Sequence, residues 1–324
     1  MHFKNILLAA FAGVCSVQAQ SIVDILNNTP ELSTLKSLVT MFPDLVDTLS
    51  SAREITVVAP SNDAFQKFLS ENPGADQNQD LVKNLLTYHV ITGVYESSAI
   101  TGSPGPVFVP TLLTSSEYSL VTGGQRVGAQ AKDGGVVFTS GLLKESTVTT
   151  ADVKFDGGVA HIVSEVLTIP AKTSDTATAA GLTQLVGALT TAGLVDTVDT
   201  TPDLTVFAPN DDAFAAIMST VSGASRQDLI NILTYHVVAG TVAYSPTLQD
   251  GQQIPTLNGA SVTVKISGST VMINDATVVI ANALTKNGVA HVIDKVLMPS
   301  SGGRRGGRRK KYGGSCGGGH PYEA

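Results

Sequence analysis

The phrase Thr-Val-Val-Ala-Pro-Ser-Asn-Asp-Ala-Phe at residues 56–65 returns as Thr-Val-Phe-Ala-Pro-Asn-Asp-Asp-Ala-Phe at residues 205–214, so this chain must build the same thing twice. Two later echoes keep the order: Leu85-Leu86-Thr87-Tyr88-His89-Val90 against Ile232-Leu233-Thr234-Tyr235-His236-Val237, then Gly158-Val159-Ala160-His161 against Gly288-Val289-Ala290-His291. Thr56 and Thr205 are 149 residues apart, His89 and His236 are 147, and His161 and His291 are 130. The first copy is therefore longer by 17 residues between its second and third echoes, the difference between 147 and 130. Fifteen of these fall between Leu113 and Gly157. Such surplus is expected in surface loops that leave the core intact. The period is far longer than that of a solenoid, so each copy is expected to fold as its own domain.

With 43% hydrophobic and 15% charged residues, 324 positions supply two ordinary cores and exclude a disordered chain. Residues 1–19 carry Lys4, an apolar run over 6–14 and the small-x-small ending Val17-Gln18-Ala19, the pattern of a cleaved secretory signal. Its removal takes Cys15 and leaves Cys316 alone, which rules out an internal disulfide and makes Cys316 a candidate for an intermolecular one. Residues 20–300 hold 13 Lys and Arg against 26 Asp and Glu. The glycine-rich tail, residues 301–324, concentrates Arg304, Arg305, Arg308, Arg309, Lys310 and Lys311 within eight positions. It reads as a disordered cationic arm whose partners are polyanions, or else as a solvated tail or a processing site. Neither a transmembrane segment nor a glycosylphosphatidylinositol signal is expected.

Along the mature chain, Ser21 caps a first short helix, Thr29-Pro30 opens a second, and a third covers residues 44–49 after Pro43. Copy two echoes the last two, but residues 171–180 are rich in Thr, Ala and Ser and read as a linker without a counterpart of the first helix. The repeated phrases are strands that stop at Pro60 and Pro209, followed by helices capped by Ser61 and Asn210. Further helices are expected over 80–90 and 228–237. Alternation over 261–266 and 270–273 around Ser267-Gly268-Ser269 predicts a hairpin, and residues 159–167 and 289–297 nearly continuous apolar strands. The class is α+β, with helices first and a mainly antiparallel sheet afterwards. The domains are 20–170 and 181–300.

These blocks resemble the fasciclin-type adhesion domain across almost all of residues 21–300. The segment ending Asn62-Asp63-Ala64-Phe65 is similar to that family's first signature block. The Tyr-His pairs sit in its middle motif, and Asn287-Gly288-Val289-Ala290-His291-Val292-Ile293-Asp294-Lys295-Val296-Leu297 is close to its closing block. The resemblance implies two similar wedge-shaped domains, mainly antiparallel sheet with helices packed around it, in a secreted adhesion, cell-wall or matrix protein. Copy one departs with Gly157-Gly158 where copy two has Asn287-Gly288.

The resemblance also points to Tyr88, His89, Tyr235 and His236 as partner contacts, because family members engage integrins through that motif. Helical spacing argues for a structural role instead: Val82, Leu86 and His89, like Leu229, Leu233 and His236, fall at i, i+4 and i+7 on one apolar stripe. A buried neutral imidazole there needs partners for both ring nitrogens. His161 and His291 read the same way. No histidine has a metal-ligand neighbour repeated in both copies, and no cofactor is expected. Asp63 with His89, or Asp212 with His236, could form an acid/base pair, yet no nucleophile elbow or phosphate loop accompanies them. Asn27-Asn28-Thr29 makes Asn27 the candidate glycosylation site, and there is no Arg-Gly-Asp tripeptide. The functional expectation is a non-enzymatic extracellular protein binding a cell-surface or matrix protein or glycan. A carrier enclosing an apolar ligand is the alternative, and a hydrolytic enzyme a weaker one.

Overall fold

The computed structural model describes residues 20–299 other than 222 and 224. The signal segment, the basic tail with its six cations, Cys15 and Cys316 lie outside the described residues. The first copy comprises α1 (Ile22–Asn28), α2 (Ser33–Thr40), α3 (Pro43–Ser51), β1 (Ile55–Pro60), α4 (Asn62–Glu71), α5 (Gln79–Tyr88), β2 (Val90–Thr92), α6 (Ser97–Thr101), β3 (Val107–Pro110), β4 (Arg126–Lys132), β5 (Gly135–Thr139), β6 (Glu145–Phe155) and β7 (Gly158–Val163). The second repeats it as α7 (Thr173–Ala179), α8 (Thr183–Ala192), α9 (Val195–Thr200), β8 (Leu204–Pro209), α10 (Asp211–Val221), α11 (Arg226–Tyr235), β9 (Val237–Val238), β10 (Gln253–Pro255), β11 (Ser261–Ser267), β12 (Thr270–Ile273), β13 (Ala276–Thr285) and β14 (Gly288–Ile293).

Each copy forms one seven-stranded sheet, ordered β2-β1-β7-β6-β5-β4-β3 and, in mirror listing, β10-β11-β12-β13-β14-β8-β9. All pairings are antiparallel except β1 with β7 and β8 with β14, which are parallel. The central strands are buried on both faces, which explains their unbroken apolar runs. In β1, Ile55, Val57 and Ala59 face a core built with α1 to α5, while Val58 faces a second core with Tyr88, Phe138 and Val163. Copy two divides its core the same way.

The parallel pairing explains two glycines. Gly158 and Gly288 have φ of +151° and +156°, and a Cβ at either would stand 1.8 Å from the carbonyl oxygen of Ile55 or Leu204. No other residue permits that approach.

Caps form as expected: Ser21 Oγ accepts from Asp24 N–H, Ser61 Oγ from Ala64 N–H and Asn210 Oδ1 from Ala213 N–H. The expected linker is corrected. Residues 173–179 form α7, the counterpart of α1, with Ala177 in the helix-side core of copy two. Its cap comes from far along the chain: the Asp199 carboxylate accepts from Ser174 N–H at 2.8 Å and Ser174 Oγ–H at 2.7 Å. The closing strands are shorter than their apolar runs, ending at Val163 and Ile293.

The surplus of copy one sits where the copies meet. The β3–β4 connection takes fifteen residues, 111–125, against five, 256–260, between β10 and β11. The longer loop is not a free surface excursion. Leu120 N–H donates to the Lys286 carbonyl at 2.8 Å, and Asp203 N–H donates to the Leu120 carbonyl. The Asp203 carboxylate accepts from Thr122 N–H at 2.8 Å and Thr122 Oγ–H at 2.6 Å. Gln125 is fully buried, its Nε2 donating to the carbonyls of Thr285 and Lys286. A smaller surplus before β6 carries Leu143 onto the helix-side core of copy two.

Candidate functional site

The Tyr-His pairs close the last turn of α5 and α11, where His89 and His236 act as C-caps. His89 and His236 are 3% and 2% exposed, and Tyr88 and Tyr235 0% and 5%. His89 Nδ1 lies 2.7 Å from the Leu85 carbonyl, so Nδ1 carries the proton and donates. That leaves Nε2 to accept from Leu167 N–H at 2.9 Å. His236 repeats this with the Ile232 carbonyl at 2.8 Å and Leu297 N–H at 2.8 Å. The histidine backbone serves too, because each carbonyl accepts from the neighbouring central strand, from Val58 N–H and Phe207 N–H, both at 2.9 Å. One residue thereby ties the helix, the central strand and the segment after the last strand. The Leu167 and Leu297 N–H groups are given to imidazole instead of a strand ladder.

Burial lowers the pKa of both histidines to about 4, with the helix carbonyl pulling weakly the other way. They remain neutral at physiological pH. The tyrosine hydroxyls donate to the carbonyls of Arg126 and Ser261 at 3.0 and 3.1 Å, pinning each helix to the start of β4 or β11. The reading of Tyr88, His89, Tyr235 and His236 as direct partner contacts is corrected: every polar atom is committed inward and almost no surface is offered.

His161 and His291 are also fully buried. Their Nε2 lies 2.8 and 2.9 Å from the carbonyls of Tyr95 and Ala243, and Nδ1 accepts from Asp152 N–H and Asn282 N–H. Asp152 and Asn282 are left-handed residues, φ 58° and 62°, at register shifts in β6 and β13. Their side chains accept from the N–H of Ser97 and Ser245. Burial also brings the His291 pKa down to about 4.

Asp63 and Asp212 are exposed at the first turns of α4 and α10, while His89 and His236 are sealed with both nitrogens engaged, so neither acid/base pair forms. Among the described residues no group of three or more His, Cys, Asp and Glu could hold a metal ion. No described helix is long and apolar enough to cross a membrane. Asn27 is exposed in the last turn of α1.

The site that sequence reasoning missed lies between the copies. A cleft of about 720 Å³ has walls from both, including Tyr95, Phe108 and Arg126 from the first and Asp203, Val242 and Tyr244 from the second. Phe108 and Tyr244 stack with centroids 4.5 Å apart and planes 9° apart, and the Arg126 guanidinium lies 6.0 Å from the Tyr244 ring centre. The available signal was the surplus before β4, whose end leads directly into Arg126.

The fold and these repeated hubs define a tandem of two like domains. The model of the Fasciclin domain matches residues 30–170 and again 180–299, and the chain belongs to that family. It is 33% identical over 305 residues to a fasciclin-like arabinogalactan protein of Arthroderma benhamiae, covering 93% of this chain and 71% of that one. It is 34% identical over 284 residues to the fasciclin-like arabinogalactan protein elcF of Phaeosphaeria nodorum, covering 86% and 89%. A solved domain pair from the insect cell adhesion molecule Fasciclin I aligns with 83% of this chain and 97% of its own, at 19% identity and a TM-score of 0.40.

Proposed function

We propose that this chain is a secreted, non-enzymatic adhesion protein of the cell wall or extracellular matrix, presenting its outer faces to a cell-surface or matrix protein or glycan. The observation that carries this reading is the commitment of the Tyr-His pairs, His161 and His291 to internal bonds. That arrangement uses these four histidines for stability and leaves recognition to the exterior. Two docked domains on one chain gain by effective concentration when each binds weakly. The relatives named above, fasciclin-like arabinogalactan proteins, support the extracellular setting. The apolar-carrier alternative draws no support from the sheet-side cores, which large side chains such as Tyr88, Phe138 and Phe207 fill.

Beads coated with the full-length secreted protein should retain intact cells of the producing organism, or fragments of their walls, and soluble protein should compete. Beads that retain neither would overturn the reading. The basic tail adds an ionic contact with polyanions. Deleting residues 302–324 should abolish retention on heparin at low salt, and an unchanged elution point removes the tail from the account. Asn27 is the proposed glycan acceptor, and a peptide mass unchanged by deglycosylation removes it as well.

A further inference from the structure

We propose that the cleft between the two domains binds a small amphipathic monocarboxylate, with an apolar or aromatic body seated against the valine and aromatic walls and its carboxylate held by Arg126. The volume, about 720 Å³, falls within the range typical of small-molecule sites. The lining is mainly apolar, from Pro106, Val107, Val109, Val121, Val242 and Pro246, and it carries one cation and one anion, Arg126 and Asp203.

These two charges are not equivalent. Both oxygens of Asp203 accept hydrogen bonds from Thr122, so that carboxylate is spent on holding the domains together. Arg126 forms no ion pair among the described residues, and its one recorded side-chain hydrogen bond runs from Nη1 to the Phe108 carbonyl at 3.2 Å. A guanidinium offers five N–H donors in a planar fork that matches a carboxylate, so most of its capacity remains. Tyr244 is 5% exposed, yet its hydroxyl has no hydrogen-bond partner among the described residues. Burial raises the pKa of that hydroxyl and keeps it protonated, a donor and never a competing anion. A mainly apolar cleft whose guanidinium keeps free donors, and whose one carboxylate is already tied to Thr122, suits a ligand with an apolar body and a carboxylate aimed at Arg126. Neither copy holds the site alone, because Arg126 comes from β4 of the first and Tyr244 from the second.

The probe is 2-naphthoate, with the neutral 2-naphthalenemethanol as its charge-free counterpart, titrated into the full-length protein by isothermal calorimetry. Saturable one-to-one binding of naphthoate is expected. Arg126→Met should weaken naphthoate by about tenfold or more, the scale of a lost charge-assisted pair, and change the neutral probe less than about twofold. Arg126→Lys should fall between. Val242→Trp, which fills the cleft, should abolish both. Thr247→Trp, from the exposed rim, serves if Val242→Trp does not reach the wild-type melting temperature. Three results would overturn the site: no saturable binding of naphthoate, equal losses for both probes in Arg126→Met, or undiminished binding in a folded cleft-filling variant. None of them bears on cell retention by the coated beads, so the two proposals fail separately.

Discussion

The two copies agree where elements cross and differ where the copies touch. Thr56 and Thr205 each donate to a loop carbonyl, of Gly93 or Thr241, and accept from Tyr95 N–H or Ala243 N–H. The histidine hubs, the left-handed residues in β6 and β13 and the glycines of the parallel pair likewise recur in place. The residue before that glycine does not. Asn287 is fully buried, accepting from Thr173 Oγ–H and donating to the carbonyls of Val198 and Thr201 at 2.8 and 2.7 Å. At Gly157 a side chain would strike the Ala52 carbonyl at 2.8 Å and the Phe155 ring at 2.7 Å. The same junction is filled by an aromatic ring in one copy and by an amide network in the other. Framework positions thus keep the same bonds in both copies, even where Asp152 is exchanged for Asn282, whereas this junction is solved in two ways.

The sharpest test of equivalence is the parallel pair. Gly158→Ala and Gly288→Ala should each cost more than about 4 kcal/mol, because backbone must move to admit the methyl group. A variant melting within a few degrees of wild type in either copy would break the comparison. Next come His89→Ala and His236→Ala, which leave a cavity together with an unpaired carbonyl and N–H. Each should cost about 3 kcal/mol in denaturant unfolding, with no selective loss of bead retention at temperatures where the variant stays folded. Unequal losses would show that one hub matters more.

Acid should weaken both copies. Unfolded imidazoles take up protons near pH 6.5 and the buried His89, His236 and His291 only near 4, so stability is complete above about pH 6.5 and declines as pH falls toward 4. Calorimetry of the full chain between about pH 7 and 4.5 should show the melting temperature falling with acid, and a melting temperature that stays level over that window would contradict the hubs. Asn287→Ala should cost about 2 kcal/mol in denaturant unfolding, with no counterpart loss available at Gly157. The smallest effect is at the seam: Gln125→Ala with Thr122→Val should cost about 1 kcal/mol yet split one unfolding transition into two.

Much of this was legible in the sequence because it follows from local pattern. The i, i+4, i+7 stripe placed His89 inward, and Pro60 and Pro209 marked the ends of the central strands. What escaped depends on partners far along the chain. Residues 173–179 have linker composition, and only Asp199 and Asn287, brought close by the fold, make them a helix. The loop 111–125 has the glycines of a surface turn, and its burial depends on carbonyls at residues 285 and 286, which no local signal reveals. The cleft escaped for the same reason, since neither copy contains it.

Because the longer β3–β4 loop belongs only to the leading module and grips Asp203 and Lys286 of the trailing one, the modules are not interchangeable beads. Reversing their order would carry the clasp away from its receptor and leave Gln125 as an unsatisfied amide at the wrong end of the pair. A duplicated ancestor would in this way have acquired a direction.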